Sequence, residues 1–111
     1  MNFSEILTFT KELKRFCKKY KSVPDDLAEF KKIISHIPIG ASKHFHVIAH
    51  RQNIQIVKAR FFCRYLKGSS LRIIYAYYES KKHIEFIELY FKGNKPNEDY
   101  DRIEKYIKDN T

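Results

Sequence analysis

The chain has no tryptophan, only three glycines and three prolines, and two cysteines among 111 residues. So little glycine and proline leaves no room for long loops. Cys17 and Cys63 lack the CxxC spacing of a zinc or redox site, so we expect two buried thiols in a reducing compartment. The N-terminal residues lack the basic start and apolar run of a secretion signal. No stretch approaches the roughly 20 apolar residues of a membrane span. We therefore predict a cytoplasmic protein that does not enter a membrane.

Acidic residues are missing from the middle of the chain, between Glu29 and Glu79. The 49 residues between them contain nine cations: Lys31, Lys32, Lys43, Arg51, Lys58, Arg60, Arg64, Lys67 and Arg72. The other 13 Lys and Arg equal the 13 Asp and Glu in number, so the formal charge of +9 resides in this segment. Clustered positive charge attracts phosphate backbones and releases their counterions. An acidic protein or an anionic membrane surface would also suit it, and a generic basic surface is the simplest alternative.

Hydrophobic residues make up 43% of the chain and aromatic residues 15%, which predicts one folded domain over residues 1–111. Apolar spacing predicts a short N-terminal strand, a helical hairpin, an antiparallel sheet of three or four strands and a C-terminal helix. The fold class is therefore α+β. The predicted segments are Phe3–Leu7, Phe9–Tyr20, Pro24–Ile37, Phe45–Ala49, Ile54–Tyr65, Leu71–Tyr78, His83–Lys92 and a last helix after Asn97.

Helix caps are predicted from side chains that accept backbone hydrogen bonds. Thr8 or Thr10 is the expected cap of the first helix. Ser22 with Asp25 resembles a capping box for the second helix, and Asn97 is the expected cap of the last one.

Alternation along the predicted strands sorts the cations by sheet face. Lys58, Arg60 and Arg64 share one parity, so a regular strand presents them together. Arg72 begins an apolar strand and must keep its guanidinium in water or pair it with an anion. Hairpin pairing would bring Lys58, Arg60, Arg72 and Lys92 onto one concave face. Tight spacing of this kind suits successive phosphates.

Tyrosines lie between the cations, and exposed aromatic rings stack on unpaired bases. Tyr100 is expected to be partly accessible, because it falls in the first turn of the last helix. Lys67 in a turn and Lys95 after the last strand add positive charge on either side of the cluster.

Other chemistries find little support. His44, His46 and His50 share strand parity and invite a zinc hypothesis, but no cysteine or carboxylate lies nearby. Glu85 and Glu88 are predicted on opposite faces of their strand, which makes a poor acid–base pair. Gly-rich phosphate loops, HExxH and GxSxG are absent from the sequence. No metal and no small-molecule cofactor is predicted.

Three segments, Val57–Arg60, Ser70–Tyr77 and Ile84–Lys95, resemble the RelE/ParE toxin superfamily. The helical segments Phe9–Arg15 and Asp25–Leu27 resemble it too, so the likeness covers nearly the whole chain. It implies a type II toxin held inactive by an acidic cognate antitoxin. RelE-like members cleave mRNA on the ribosome without metal, whereas ParE-like members poison DNA gyrase.

The resemblance implies site residues by position, and five carry over as catalytic: Lys58, Arg60, Arg72, Lys92 and Tyr100. The expected RNA-binding residues are Lys58, Arg60, Arg64, Lys67, Arg72 and Lys95. In the implied reaction an RNA 2′-hydroxyl attacks the adjacent phosphate, and Arg72 stabilises the added charge. Lys58, crowded by Arg60, is predicted to have a lowered pKa and to act as base.

The favoured function is a ribosome-dependent mRNA endonuclease toxin whose partners are the ribosome, mRNA and the antitoxin. The alternatives are a ParE-like gyrase inhibitor and a non-catalytic nucleic-acid-binding protein.

Overall fold

The computed structural model describes the backbone of residues 1–111 and every side chain except that of Ser69. In chain order its elements are β1 (Asn2–Glu5), α1 (Leu7–Lys19), α2 (Val23–His36), β2 (Phe45–Arg51), β3 (Ile54–Cys63), β4 (Gly68–Tyr78), β5 (His83–Phe91) and α3 (Tyr100–Asn110). The sheet order is β1-β5-β4-β3-β2. The predicted α+β class and the order of elements are confirmed. The four antiparallel strands are joined by β1, which pairs in parallel with β5 and makes the sheet mixed and five-stranded.

Helices α1 and α2 cover one face of the sheet, where every second residue of β4 from Leu71 to Tyr77 is buried. Phe30 of α2 packs its ring against Phe61 and Tyr75, with centroids 5.7 and 6.0 Å apart. The Tyr75 hydroxyl donates a 2.6 Å hydrogen bond to the carbonyl of Pro38, which follows α2. This face of the sheet is therefore core along its length.

Helix α3 covers only part of the opposite face. Its Ile103 and Tyr106 pack on a buried group from three strands: Ile54, Ile56, Ile74, Ala76, Tyr78, Ile87 and Tyr90. The hydroxyls of Tyr78 and Tyr106 lie 2.5 Å apart, and Tyr106 donates to Glu85 at 2.7 Å. In the part of the chain that the structure describes, no helix is long and apolar enough to cross a membrane.

The predicted caps of the first two helices are wrong. α1 begins at Leu7, so Thr8 and Thr10 lie inside the helix, where the Thr10 hydroxyl donates to Glu5 at 2.5 Å. Ser22 precedes α2 but forms no capping bond. Its hydroxyl donates instead to Asp26 at 2.7 Å and accepts from the Tyr65 amide at 2.9 Å, so a tertiary contact has displaced the capping bond.

The predicted cap of the last helix is also wrong, by two residues. Asp99, not Asn97, caps α3, and its carboxylate accepts a 3.1 Å hydrogen bond from the Arg102 amide.

A bulge in β5 decides which side chains reach the α3 face. Glu88 pairs with Ile74 while Phe86 pairs with Tyr75, so Ile87 is an extra residue on β5. An extra residue inverts the alternation beyond it. Glu85 and Glu88 consequently share the α3 face, and the prediction that they lie on opposite faces is wrong.

The bulge is held by an ion pair between two helices. Arg102 of α3 binds Glu12 of α1 through two contacts of 3.0 and 2.9 Å. The same guanidinium donates to the Ile87 carbonyl at 3.0 Å, and Glu12 accepts from the Leu89 amide at 3.1 Å. Both backbone groups beside the bulge are thereby satisfied, which offsets the cost of interrupting the ladder.

Candidate functional site

The end of the sheet face that α3 leaves open contains a small pocket of about 140 Å³. Its lining consists of His44, His46, Lys58, Ala59, Arg60, Arg72 and Lys92. Four of the five side chains predicted as catalytic therefore meet here. They come from β3, from β4 and from the residue that follows β5, and the β5 bulge is what turns Lys92 to this side.

Two arginines face each other across the centre of the pocket. Arg60 of β3 and Arg72 of β4 are directly opposed in the antiparallel register. Like charges in this position repel and destabilise a sheet. Burial lowers the pKa of Arg72, the charge of Arg60 lowers it further, and Tyr90 opposes both effects. A bound anion would relieve this repulsion, and the planar guanidinium is well shaped to engage two phosphate oxygens.

Arg72 is well anchored for such a role. It is 9% exposed, and its Nη1 donates a 3.1 Å hydrogen bond to the Leu71 carbonyl. Tyr90 lies opposite it on β5. The guanidinium is therefore held at the floor of the pocket, whereas Arg60 is exposed at its rim.

Lys58 is held by a carboxylate from outside the acid-free segment. Its Nζ lies 2.9 Å from Oε1 of Glu98, whose side chain is 8% exposed. Burial lowers the pKa of Lys58, but the hydrogen bond and charge of Glu98, together with Tyr90, outweigh burial and raise it above its ordinary value. The prediction that Lys58 has a lowered pKa is therefore wrong, and a neutral-pH base is not available from this amine.

The two exposed cations of the pocket, Arg60 and Lys92, differ from Lys58 in their acidic partners. Among the side chains that the structure describes, neither Arg60 nor Lys92 forms an ion pair with an acidic residue. The Lys92 amide donates to the Ser70 carbonyl at 2.9 Å, which fixes its backbone at the pocket rim. Two positive side chains therefore face an incoming anion.

Tyr100, the fifth predicted catalytic residue, does not line this pocket. It is 60% exposed, as predicted, and lies in a neighbouring groove with Ile48 and Ala49 of β2 and with Ile103. Its catalytic role stays a prediction.

The tyrosine that accompanies the cations is Tyr90, which the sequence interpretation did not select. It is 4% exposed, and burial raises its pKa while the neighbouring Lys58 partly lowers it. The available signal was its position two residues before Lys92, which places both side chains on one face of a strand.

The remaining predicted RNA-binding residues lie away from the pocket lining. Arg64 forms a 3.1 Å ion pair with Asp26, and its amide donates to the same carboxylate at 3.2 Å. β3 ends at Cys63 and the following turn is held against α2, so the prediction that Arg64 is presented with Lys58 and Arg60 is wrong.

Lys67 and Lys95 do not line the pocket. Lys67 is exposed in the turn after β3, with a φ of 52°. Lys95 forms an ion pair with the buried Glu88 and lies 5.3 Å above the Tyr90 ring. RNA binding by either residue stays a prediction.

His44, which directly precedes β2, and the β2 residues His46 and His50 divide between the two faces of the sheet. His46 pairs in register with Lys58, and the His44 carbonyl accepts a 3.0 Å bond from the Arg60 amide. A bulge between Val47 and Ala49 turns His50 to the other face, so the predicted shared parity is wrong. No group of three His, Cys, Asp or Glu with metal-site geometry occurs among the described residues. The sequence interpretation considered these histidines only for zinc and missed that two of them line the pocket.

The comparisons with known proteins identify the fold. No protein-family model matches the chain, and no curated protein matches it. Among solved structures, it is similar to a chain of the archaeal RelE–RelB complex from Pyrococcus horikoshii OT3. The TM-score is 0.63 at 18% sequence identity, over 83% of this chain and 94% of that one. The chain therefore has a RelE-like fold, and the resemblance found in its sequence is confirmed at that level.

Proposed function

We propose that this protein is the toxin of a type II toxin–antitoxin pair and acts as a metal-independent, ribosome-dependent mRNA endonuclease. The observation that carries the proposal is the opposed Arg60 and Arg72, joined in one pocket by Lys58 and Lys92. The fold it shares with a chain of a RelE–RelB complex supports the toxin class. Because the target is a translating ribosome, the proposal also requires a cytoplasmic protein.

The cleavage would be an internal transesterification. The 2′ oxygen forms a bond to the adjacent phosphorus, the bond from phosphorus to the 5′ oxygen breaks, and a 2′,3′-cyclic phosphate remains. Arg72 and Arg60 hold the non-bridging oxygens, where negative charge increases in the transition state. Lys92 supplies further positive charge at the rim. The four cations thus provide the electrostatic stabilisation that divalent metals provide in many nucleases.

The proposed antitoxin is an acidic segment that occupies the same pocket. Glu98 already shows that a carboxylate is a good partner for Lys58. Carboxylates placed on Arg60 and Lys92 would neutralise the two cations that face solvent and exclude RNA both sterically and electrostatically.

A cell-free bacterial translation reaction with a reporter mRNA tests the nuclease. New 5′ ends would be mapped with the mRNA translated and with the same mRNA free of ribosomes. Arg72→Met removes the charge and keeps an unbranched apolar chain, and Arg15→Met, at an exposed position of α1, is its matched control. We expect cuts only on translated mRNA, lost about 100-fold or more in Arg72→Met and unchanged in Arg15→Met.

Other outcomes would redirect the assignment. Arrested translation without cuts would indicate a protein that blocks the ribosome by occupancy. No effect on translation would contradict the ribosome as target and lead to assays of DNA gyrase. Equal loss of cutting in the two arginine variants would contradict the pocket as the site.

A further inference from the structure

The proposed cleavage needs two proton transfers, and the four cations, whose part is to stay charged beside the phosphate, do not make good proton acceptors. A group must accept the proton of the attacking 2′-hydroxyl, and another must donate a proton to the departing 5′ oxygen. Guanidinium groups stay protonated in proteins, so Arg60 and Arg72 serve neither as base nor as titrating acid at neutral pH. Lys58 is pinned by Glu98 with its pKa raised.

The other titratable groups nearby are also poorly placed. Tyr90 is buried and does not line the pocket, and burial raises its pKa. Glu98 reaches Lys58 from the segment before α3, but it lines the adjacent groove rather than the pocket. Tyr100 lies in that adjacent groove as well. The described lining of the pocket consists of two arginines, two lysines, one alanine and two histidines. His44 and His46 are therefore the candidates that remain.

We propose that the imidazoles of His44 and His46 perform these proton transfers, one as general base and the other as general acid. This inference rests on the nuclease function proposed above. His46 lies directly opposite Lys58 on the neighbouring strand, and His44 is tied through its carbonyl to Arg60. Both imidazoles are exposed to incoming substrate.

The geometry suits a phosphate held at the arginine pair. Adjacent strands lie about 4.8 Å apart, so His46 on β2 and His44 just before it stand one strand spacing from Lys58 and Arg60, within reach of a phosphate bound at the rim. Imidazole is the side chain whose protonation changes in the neutral range, which lets one ring take a proton while another gives one. Lys58 and Arg60 from β3, Arg72 from β4 and Lys92 after β5 are the charged groups that face them.

The test uses three histidine-to-glutamine variants of the full chain. His44→Gln and His46→Gln each remove one pocket imidazole, and His50→Gln removes an imidazole from the same strand on the opposite face. Single-turnover cleavage of ribosome-bound mRNA would be measured from pH 5 to pH 9. Binding of a 2′-O-methyl RNA, which cannot be cleaved, would be measured by fluorescence anisotropy, and thermal unfolding would confirm that each variant is folded.

We expect about 100-fold slower cleavage in His44→Gln and in His46→Gln, with RNA affinity within about threefold of wild type. The wild-type profile should be bell-shaped, with one limb lost in each pocket variant and neither lost in His50→Gln. The variant that loses the acidic limb identifies the base, and the one that loses the alkaline limb identifies the acid.

Two results would overturn the inference while leaving the nuclease in place. One is cleavage with an unchanged pH profile in both pocket variants. The other is a loss of cleavage matched by an equal loss of RNA affinity, which would make the histidines binding residues only. Absence of cleavage by the wild-type protein at every pH would instead overturn the proposed nuclease, and the inference with it.

Discussion

The two faces of the same sheet differ in how far they are covered, and the difference locates the site. On the α1/α2 face, alternate residues of β4 from Leu71 to Tyr77 are buried without interruption. On the α3 face the same strand is apolar at Ile74 and Ala76 and then presents Arg72. Helix length explains the change. The 11 residues of α3 span about 16 Å, whereas the 11 residues of β4 span about 36 Å.

Because α3 is short, about half of the sheet face on which it packs is left uncovered. A sheet face that only meets water gains nothing from like charges placed directly opposite each other, because they repel. Here the open half carries four cations, with one arginine directly opposed to another. The covered half therefore stabilises the fold, and the open half is arranged for an anion. Mutations in each half should therefore have different effects on stability and on RNA binding.

The largest expected effect is on the covered half. Ile74→Ala removes a fully buried side chain and should lower the free energy of unfolding by about 2–5 kcal/mol, because it leaves a cavity. Lys92→Ala on the open half should change it by less than about 0.5 kcal/mol. Chemical denaturation measures both, and equal losses would contradict the division of the face.

The bulge that turns Tyr90 and Lys92 towards the open half should depend on its ion pair. Arg102→Met removes the guanidinium donor from the Ile87 carbonyl and leaves the Glu12 carboxylate with the Leu89 amide alone, at a cost of about 1–3 kcal/mol. Lys105→Met, on the same helix, is the control. Chemical denaturation of both variants gives the comparison, and an Arg102→Met protein as stable as this control would show that the bulge needs no such support.

The N-terminal cap of α3 can be tested by comparing Asp99, the cap in the structure, with Asn97, the cap predicted from the sequence. Asp99→Ala should cost about 1 kcal/mol of stability, because the Arg102 amide loses its acceptor. Asn97→Ala, at the position that the sequence pattern favoured, should cost close to nothing. Thermal unfolding of the two single variants decides between them, and the reverse order would restore the predicted cap.

A smaller effect is expected where a carboxylate meets the open half. Glu98→Gln keeps the size of the side chain but releases Lys58 from its ion pair. Affinity for a 2′-O-methyl RNA should rise a few-fold, and the slope of log affinity against log salt should steepen by about 0.7. Glu104→Gln, an exposed acid of α3, controls for net charge. Identical salt slopes for the two variants would mean that Lys58 makes no phosphate contact.

The ion pair between Lys58 and Glu98 should also make stability slightly dependent on pH in the alkaline range. The pKa of Lys58 is raised in the folded protein above its ordinary 10.5, so its contribution to stability is complete below that value and is lost as pH rises through the folded pKa. Buried Tyr78 and Tyr90, whose pKa values burial raises, add a loss of stability above about pH 10 in every variant. Wild type should therefore lose more stability between pH 10 and pH 12 than Glu98→Gln. Parallel curves would contradict this.

Local patterns predicted the fold and the centre of the site, since both depend on strand alternation and hairpin register. Arg60 and Arg72 meet because β3 and β4 form one antiparallel hairpin, which periodicity and a turn signal reveal. The lack of acidic residues between Glu29 and Glu79 did not mean that the cations of this segment lack acidic neighbours in the folded protein. Lys58 forms an ion pair with Glu98, and Arg64 forms one with Asp26. Local sequence patterns do not predict contacts between residues so distant along the chain.

The bulges are the second reason why the prediction fell short. One inverts β5 after Ile87 and the other inverts β2 beyond Val47, so counting parity along the sequence misplaced Glu88 and His50. Bulges depend on distant partners, as Arg102 and Glu12 show for β5. The two pocket histidines were missed for a different reason: they were considered only as zinc ligands, and their place beside Lys58 and Arg60 follows from the pairing of β2 with β3.

The most direct test of the open half as an RNA site is an NMR titration of the protein with a short 2′-O-methyl RNA. We expect the largest shifts in the amide and guanidinium signals of Arg60 and Arg72, with smaller ones at Lys92 and His46. Signals of Arg64, which is paired with Asp26, should stay in place. Shifts centred on Arg64, or on the basic outer face of α1, would contradict the account.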